Sequence, residues 1–289
     1  MPRIGQVKIH KGLVTIVQSS SRHSVVSVDT HAHVFEPALP MVSGRRYTPT
    51  YEASLAMYLS LLDTNGFSHG VLVQPSFLGT DNQFLIQALG QAGGRCRGVA
   101  VVDPAIDSRA LAQMNDSGIV GIRLNLFGVD EPDLLSQDWR TLLQKINEYD
   151  WHVEIHCPAA NVFRVASALI EQGCKVVVDH FGRPDFSAYF DQAQLDSLLS
   201  LSRTGRVWVK LSAPYRFLPK NFVHSRALIS LFMHAFTPQR LMWGSDWPHT
   251  QHESLTDFDC NLQWLKHAVE NPENLSQILC DTPRTLFKF

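Results

Sequence analysis

The strongest constraint on this chain is a repeat of short apolar runs, eight in all, each followed by a longer stretch with helical periodicity. The runs are VVSVDTHAH (25–33), HGVLVQPS (69–76), GVAVVDP (98–104), GIVGIRLN (118–125), WHVEIHCP (151–158), KVVVDHFG (175–182), RVWVKLS (206–212) and LMWGSDWP (241–248). Their apolar residues stand side by side instead of alternating with polar ones, the pattern of a strand buried on both faces. Amphipathic segments at 50–65, 81–92, 107–117, 138–149, 160–172, 190–203, 221–236 and 254–270 separate them, and a last helix is expected over 274–287. Strands alternating with helices imply βαβ units and a parallel sheet. Eight such units in 289 residues predict an α/β fold closed into a distorted (β/α)8 barrel of the TIM type. A doubly wound open sheet is the alternative, but it carries a glycine-rich turn after its first strand. Here Asp29-Thr30-His31-Ala32-His33 takes that place.

Polar and ionisable residues collect at the C-terminal end of almost every run. They are His31 and His33 after the first, Gln74 and Ser76 after the second, Asp103 after the third, and Arg123 and Asn125 after the fourth. His156 follows the fifth, His180 and Arg183 the sixth, Lys210, Ser212 and Arg216 the seventh, and Asp246 and His249 the eighth. In a barrel all strand C-termini open on one face, where the active site sits. Residues far apart in sequence are therefore expected over one pocket.

Composition excludes several classes of function. The net charge is −2 with the signs interspersed, so no basic face for a nucleic acid is expected. Five cysteines, odd in number and without a CxxC pair, read as reduced thiols of a cytoplasmic protein. No run approaches the roughly 20 apolar residues of a membrane span. Residues 1–24 read as a tail or edge extension ahead of a single barrel domain over 25–289. No GxSxG elbow, Walker loop or dinucleotide fingerprint occurs, which argues against serine-nucleophile and nucleotide chemistry.

The spacing of His31 and His33 directs both imidazoles to one side of a strand, and suits two metal bonds of about 2.0–2.1 Å. A pair of structural histidines is the other reading, and His156, His180 and Asp246 at further strand ends favour a shared site. Asp246 is the candidate general base, a carboxylate kept ionised by histidines or a metal. Arg123, Arg183 and Arg216 can each bind a substrate carboxylate bidentately. For Arg216 a surface ion pair is an equal reading. Tyr47 and Tyr51, in RRYTPTYEA, are either lid residues over the site or packing groups.

The segments VDTHAHVF, IRLN, VEIH, VVVDHFGRPD, VWVKLSAPYR, LMWGSDWPHTQHE and the closing DTPRTLFKF resemble the amidohydrolase-2 group of the amidohydrolase superfamily. More narrowly, they resemble its branch of 2-pyrone-4,6-dicarboxylate lactonase-like hydrolases, which includes sugar-acid and muconolactone hydrolases. The resemblance runs from about Val28 to the C-terminus and implies a catalytic centre of His31, His33, His180 and Asp246. In it the aspartate activates water against a lactone carbonyl that histidines or a metal polarise. Arg123, Arg183 and Arg216 would hold substrate carboxylates, assisted by Ser76 and a loop tyrosine. Two departures stand out: His156 replaces a tyrosine of the pyrone-dicarboxylate lactonase, and FGVDEPD replaces a segment with a further arginine. His156 restores the ligand set of metal-using relatives, His31, His33, His156 and Asp246. One divalent metal, zinc or manganese, and metal-independent catalysis are thus both open, and His156 can equally be a substrate-binding group.

The expected function is hydrolysis of a small, acidic, carboxylated lactone in a catabolic route. The alternative is a metal-dependent decarboxylase of an aromatic or unsaturated acid, which would need an apolar slot for a ring. A barrel that only binds a small acid is disfavoured, because binding alone needs no general base. The oligomeric state is not legible.

Overall fold

Each apolar run becomes a strand: β1 (Val28–Ala32), β2 (His69–Val73), β3 (Cys96–Ala100), β4 (Ile119–Asn125), β5 (His152–His156), β6 (Lys175–Val178), β7 (Val207–Ser212) and β8 (Leu241–Gly244). The computed structural model describes residues 26–186, 191–218 and 225–289. The expected tail, 1–24, and the first residues of the helices expected at 190–203 and 221–236 lie outside them. Each strand pairs in parallel with the next, in the order β1 to β8. The strands are shorter than the apolar runs because the closing residues of most runs leave the sheet and form the loops of the barrel mouth.

The helices α1 (Leu55–Thr64), α2 (Gln83–Gln91), α3 (Ser108–Asp116), α4 (Gln137–Glu148), α5 (Ala159–Glu171), α6 (Gln192–Ser200), α7 (Ser225–Phe236) and α8 (Phe258–Ala268) connect or follow these strands. Several start where a side chain caps free N–H groups. Asp107 accepts from the Ala110 amide and Asp257 from the Cys260 amide. The last helix begins at Pro272, and a wider π turn at Gln277–Asp281 divides it before Thr282–Phe287.

β5 shows how the strands divide their residues between two layers. Val153 and Ile155 belong to the large apolar cluster under the helices. His152, Glu154 and His156 alternate with them, as period-2 geometry requires. A smaller cluster, with Val71, Val73, Val99, Val177 and Met242, is joined by Leu286 and Phe287 of the last helix. Phe287 packs edge-on against His152, with ring centroids 5.1 Å apart.

The closure between β1 and β8 is unlike the other seven joints. Among the described residues it carries a single bridge, Ala32 to Trp247, in place of a ladder. Around it the Asp246 amide donates to the His31 carbonyl, and the His33 amide to the Trp247 carbonyl, both at 2.8 Å. Thr30 Oγ1 donates to the Trp243 carbonyl at 2.9 Å. The buried Asp29 carboxylate completes the seam by accepting from Ser245 N (2.7 Å), Ser245 Oγ (2.6 Å), His31 N (3.2 Å) and Tyr58 Oη (3.0 Å). Gly244 is required here, since a Cβ at that position would lie 2.6 Å from His31 Cβ.

Candidate active site

Where β6, β7 and β8 end, the chain turns through left-handed backbone: His180 (φ 52°), Arg183 (49°), Ala213 (49°), Asp246 (61°) and His249 (64°). For residues other than glycine such conformations are disfavoured by roughly 1–3 kcal/mol each, and they persist where surrounding contacts enforce them. The sharp turns aim His180, Arg183 and Asp246 into a pocket also lined by His33, Arg46, Tyr47, Ser76, Arg123, Asn125, His156, Arg216 and His252. His31 lies directly behind it, with no exposed surface.

Asp246 is the centre of the arrangement. Its Oδ2 accepts from Tyr215 Oη at 2.5 Å and Arg216 Nε at 2.7 Å. Its Oδ1 faces three imidazole Nε2 atoms, those of His31 (3.7 Å), His33 (3.9 Å) and His180 (3.8 Å). Burial alone would raise the Asp246 carboxyl, but Arg216 and the histidines outweigh it and hold the group well below the usual range. Burial also pushes His33 down to about 3, and pushes His156 and His180 well below their usual value. Arg216 is the largest of the influences that keep Asp246 ionised.

The far nitrogens of the imidazoles are anchored. His33 Nδ1 meets the Val73 carbonyl at 2.7 Å, His180 Nδ1 meets Ser212 Oγ at 2.8 Å, and His31 Nδ1 meets Lys210 Nζ at 3.1 Å. His156 stands apart: its Nδ1 lies 3.3 Å from Asn125 Oδ1, and its ring packs edge-on to His180 at 5.1 Å. Its buried Nε2 has no hydrogen-bond partner among the described residues.

Four guanidiniums surround this cluster. Arg123 donates to Asp179 Oδ2 at 2.8 Å, and Arg216 is held by Asp246. Arg183 lays its guanidinium over the Phe127 ring at 4.3 Å and has no carboxylate within ion-pair distance among the described residues. Burial, and behind it the like charges of Arg216 and Arg46, lower Arg183 to about 10. Arg46, exposed at the mouth, donates to Asn125 Oδ1 at 3.2 Å. Two positive charges are therefore left without a carboxylate partner beside the pocket.

The two tyrosines divide. Tyr47 lines the pocket, while Tyr51 packs on Phe35 at 5.4 Å outside its lining. Both donate to Glu253 Oε1, at 2.8 and 2.7 Å, which straps the loop after β1 to the loop after β8. Ser76 lines the pocket at the start of a short 3-10 turn after β2. The sequence reading passed over Arg46, Tyr215, Glu253 and the partners of Lys210. Arg46 and Tyr215 each adjoin a residue that was singled out, but loop residues carry no periodic signal.

The donor set fits a divalent ion in position. A tetrahedral ion with bonds of about 2.0–2.1 Å holds its donors about 3.4 Å apart, close to the spacing around Asp246 Oδ1. His31, His33 and Asp246 offer donor atoms within 4.8 Å of one another, as do His31, Asp179 and His180. His156 belongs to neither group.

A carboxylate with one bound and one free oxygen, set among three imidazoles at the mouth of a (β/α)8 barrel, defines a hydrolytic barrel enzyme. The chain belongs to the amidohydrolase family: residues 28–289 match the family described as Amidohydrolase. It is 30% identical over 279 residues to the 2-pyrone-4,6-dicarboxylate hydrolase of Comamonas testosteroni, covering 90% of each chain. Among solved structures, it is similar to a 2-pyrone-4,6-dicarboxylic acid hydrolase, so described as putative, from Pseudomonas putida. The two are 44% identical with a TM-score of 0.85, covering 91% of this chain and 98% of that one. A probable hydrolase of the same acid from Acinetobacter baumannii, with citric acid bound, is 38% identical with a TM-score of 0.87, covering 91% and 99%.

Proposed function

We propose that this chain opens a small lactone carrying carboxylate groups, 2-pyrone-4,6-dicarboxylate being the first compound to test. The observation that carries the reading is Asp246 presenting Oδ1 to the pocket while Arg216 and Tyr215 fix Oδ2. A water held on Oδ1 is oriented for attack on the lactone carbonyl. As the new C–O bond forms, that water becomes acidic and its proton passes to Asp246. The ring C–O bond then breaks, the departing oxygen takes up a proton, and the product carries one more carboxylate than the substrate. Arg46 and Arg183 hold substrate carboxylates, with Arg123, Ser76 and Tyr47 completing the wall. The relative that holds citrate, a tricarboxylic acid, supports an anion-binding role for this wall.

A zinc or manganese ion held by His31, His33 and Asp246, with His156 or His180 beside them, would supply Lewis-acid polarisation of the carbonyl and a more acidic water. Decarboxylation finds less support, because the relatives described above at 30–44% identity are named as hydrolases. Five free cysteines fit the proposed cytoplasmic location, and no helix among the described residues is long and apolar enough to cross a membrane.

The test is turnover of 2-pyrone-4,6-dicarboxylate by purified protein, with and without added zinc or manganese. Loss of the pyrone absorbance, with one oxygen of labelled water in the new carboxylate, is expected. Release of carbon dioxide, or no turnover of any carboxylated lactone, would overturn the reading.

A further inference from the structure

Beneath the pocket lies a buried ammonium to which the reaction assigns no part. Lys210, on β7, has no exposed surface. Its Nζ lies 2.5 Å from Glu154 Oε1, 3.1 Å from His31 Nδ1 and 3.4 Å from Asp179 Oδ1. A lysine ammonium has three N–H donors and no acceptor. The hydrogen bond between Lys210 and His31 therefore requires His31 Nδ1 to be the acceptor. In a neutral imidazole only one ring nitrogen carries hydrogen, so His31 presents Nε2–H toward Asp246 Oδ1. His33, two residues away, is the opposite case. Its Nδ1 meets a backbone carbonyl, which can only accept, so its Nε2 is bare. The HxH pair thus turns one donor and one acceptor toward Asp246.

The geometry points to Lys210 as the positioning residue that fixes His31 Nε2 as a hydrogen-bond donor beside Asp246 Oδ1, and so weakens the site's hold on a divalent metal. The step rests on the lactone-opening reading of the pocket. His33 is prepared for a metal as ligating histidines are, with the far N–H on a carbonyl. His31 is not. To ligate through Nε2 it must move its hydrogen to Nδ1, where Asp179 Oδ1, 3.4 Å away, is the available acceptor and Lys210 must turn aside. In the resting arrangement Asp179 Oδ1 lies 3.4 Å from both His31 Nδ1 and Lys210 Nζ, longer than the 3.1 Å between those two nitrogens. Glu154 makes the shorter of the two carboxylate contacts of Lys210.

The experiment is nitrogen NMR of the histidine side chains in metal-free protein, with the His31 signals assigned from the spectrum of His31→Gln. A bare Nδ1 and a protonated Nε2 are expected for His31, with the reverse for His33. In the double variant Lys210→Met/Glu154→Gln, which removes the buried pair as a unit, the His31 hydrogen should move to Nδ1. Zinc affinity, read by competition with a coloured chelator, should then rise about 10- to 100-fold, the scale on which outer partners of ligating histidines act. Metal-free turnover should fall in kcat with little change in KM. A wild-type His31 with bare Nε2 would overturn the inference without any variant. A folded variant with an unchanged tautomer or unchanged zinc affinity would also overturn it. Neither spectrum nor zinc titration uses a substrate, so they decide the matter even if the protein opens no lactone.

Discussion

Arg183 is the sharpest probe of the anion-binding wall, because it has no carboxylate to orphan when removed. Arg183→Met should leave the fold intact: Met can keep the contact with Phe127, and the repulsion from Arg216 and Arg46 is relieved. Stability should change by no more than about 0.5 kcal/mol, the range of substitutions that break no buried partnership. Arg123→Met is different, since it strands the buried Asp179, and breaking one side of a buried pair costs about 3–5 kcal/mol. A hydrogen bond from a charged donor to a carboxylate contributes about 1.5–3 kcal/mol. KM for a dicarboxylated lactone should therefore rise about 10- to 150-fold in Arg183→Met, with kcat nearly unchanged. The assay is steady-state turnover of the dicarboxylate beside its neutral diester. An equal loss for the charged and neutral lactones, or an unaltered KM for the dicarboxylate, would refute the assignment.

Asp246→Asn should lower kcat by about 100- to 10,000-fold, while calorimetric binding of the unreacted dicarboxylated lactone holds or tightens because Arg216 loses its carboxylate partner; retained turnover would remove Asp246 as the base. Asp29→Asn leaves one side-chain acceptor where four donors converge. Urea unfolding should show a loss of about 2–4 kcal/mol, from at least two unmet donors at about 1–3 kcal/mol each, less the relief of a buried charge whose pKa burial raises. A midpoint unchanged from wild type would sink that role. The pH dependence of stability follows from the depressed histidines. The unfolded chain takes up protons on His33, His156 and His180 below about pH 6.5, while the native protein keeps them neutral. Stability is then fully present above that pH and falls on acidification by about 1.4 kcal/mol per pH unit for each such histidine. Urea titrations at several pH values between 7.5 and 5 should show the decline, and a flat profile would contradict it.

The barrel was legible because a strand covered on both sides has little use for polar residues, so most of the strands form apolar runs that survive without an alignment, β5 with its alternating HVEIH being the exception. The ends of the strands were legible for the same reason, since a charge that closes an apolar run has few places to go except the barrel mouth. Loop geometry was not. Arg216 could be read as clamp or surface pair, and the structure gives it a third office, bonded to Asp246 itself. Tyr51 was placed beside Tyr47, yet only Tyr47 lines the pocket, because Glu253 gathers both hydroxyls from another loop. Lys210 and Glu154 carried an unused signal: each interrupts an apolar strand at an inward position, and opposite charges so placed on β5 and β7 must meet. The breadth of the helix after Pro272 was also hidden, since a π turn changes hydrogen-bond register without altering the apolar pattern much.

The seam between β1 and β8 gives the molecule a built-in order of failure. Its few bonds use the backbone of His31, His33 and Asp246, so the joint that rounds off the cylinder also sets the groups proposed to open the lactone. Among the described residues seven joints carry ladders and this one a single bridge. Local opening starts where hydrogen bonding is thinnest. Rising denaturant should thus part the staves here first, so that the enzyme goes silent while most of its tryptophans still report a folded protein.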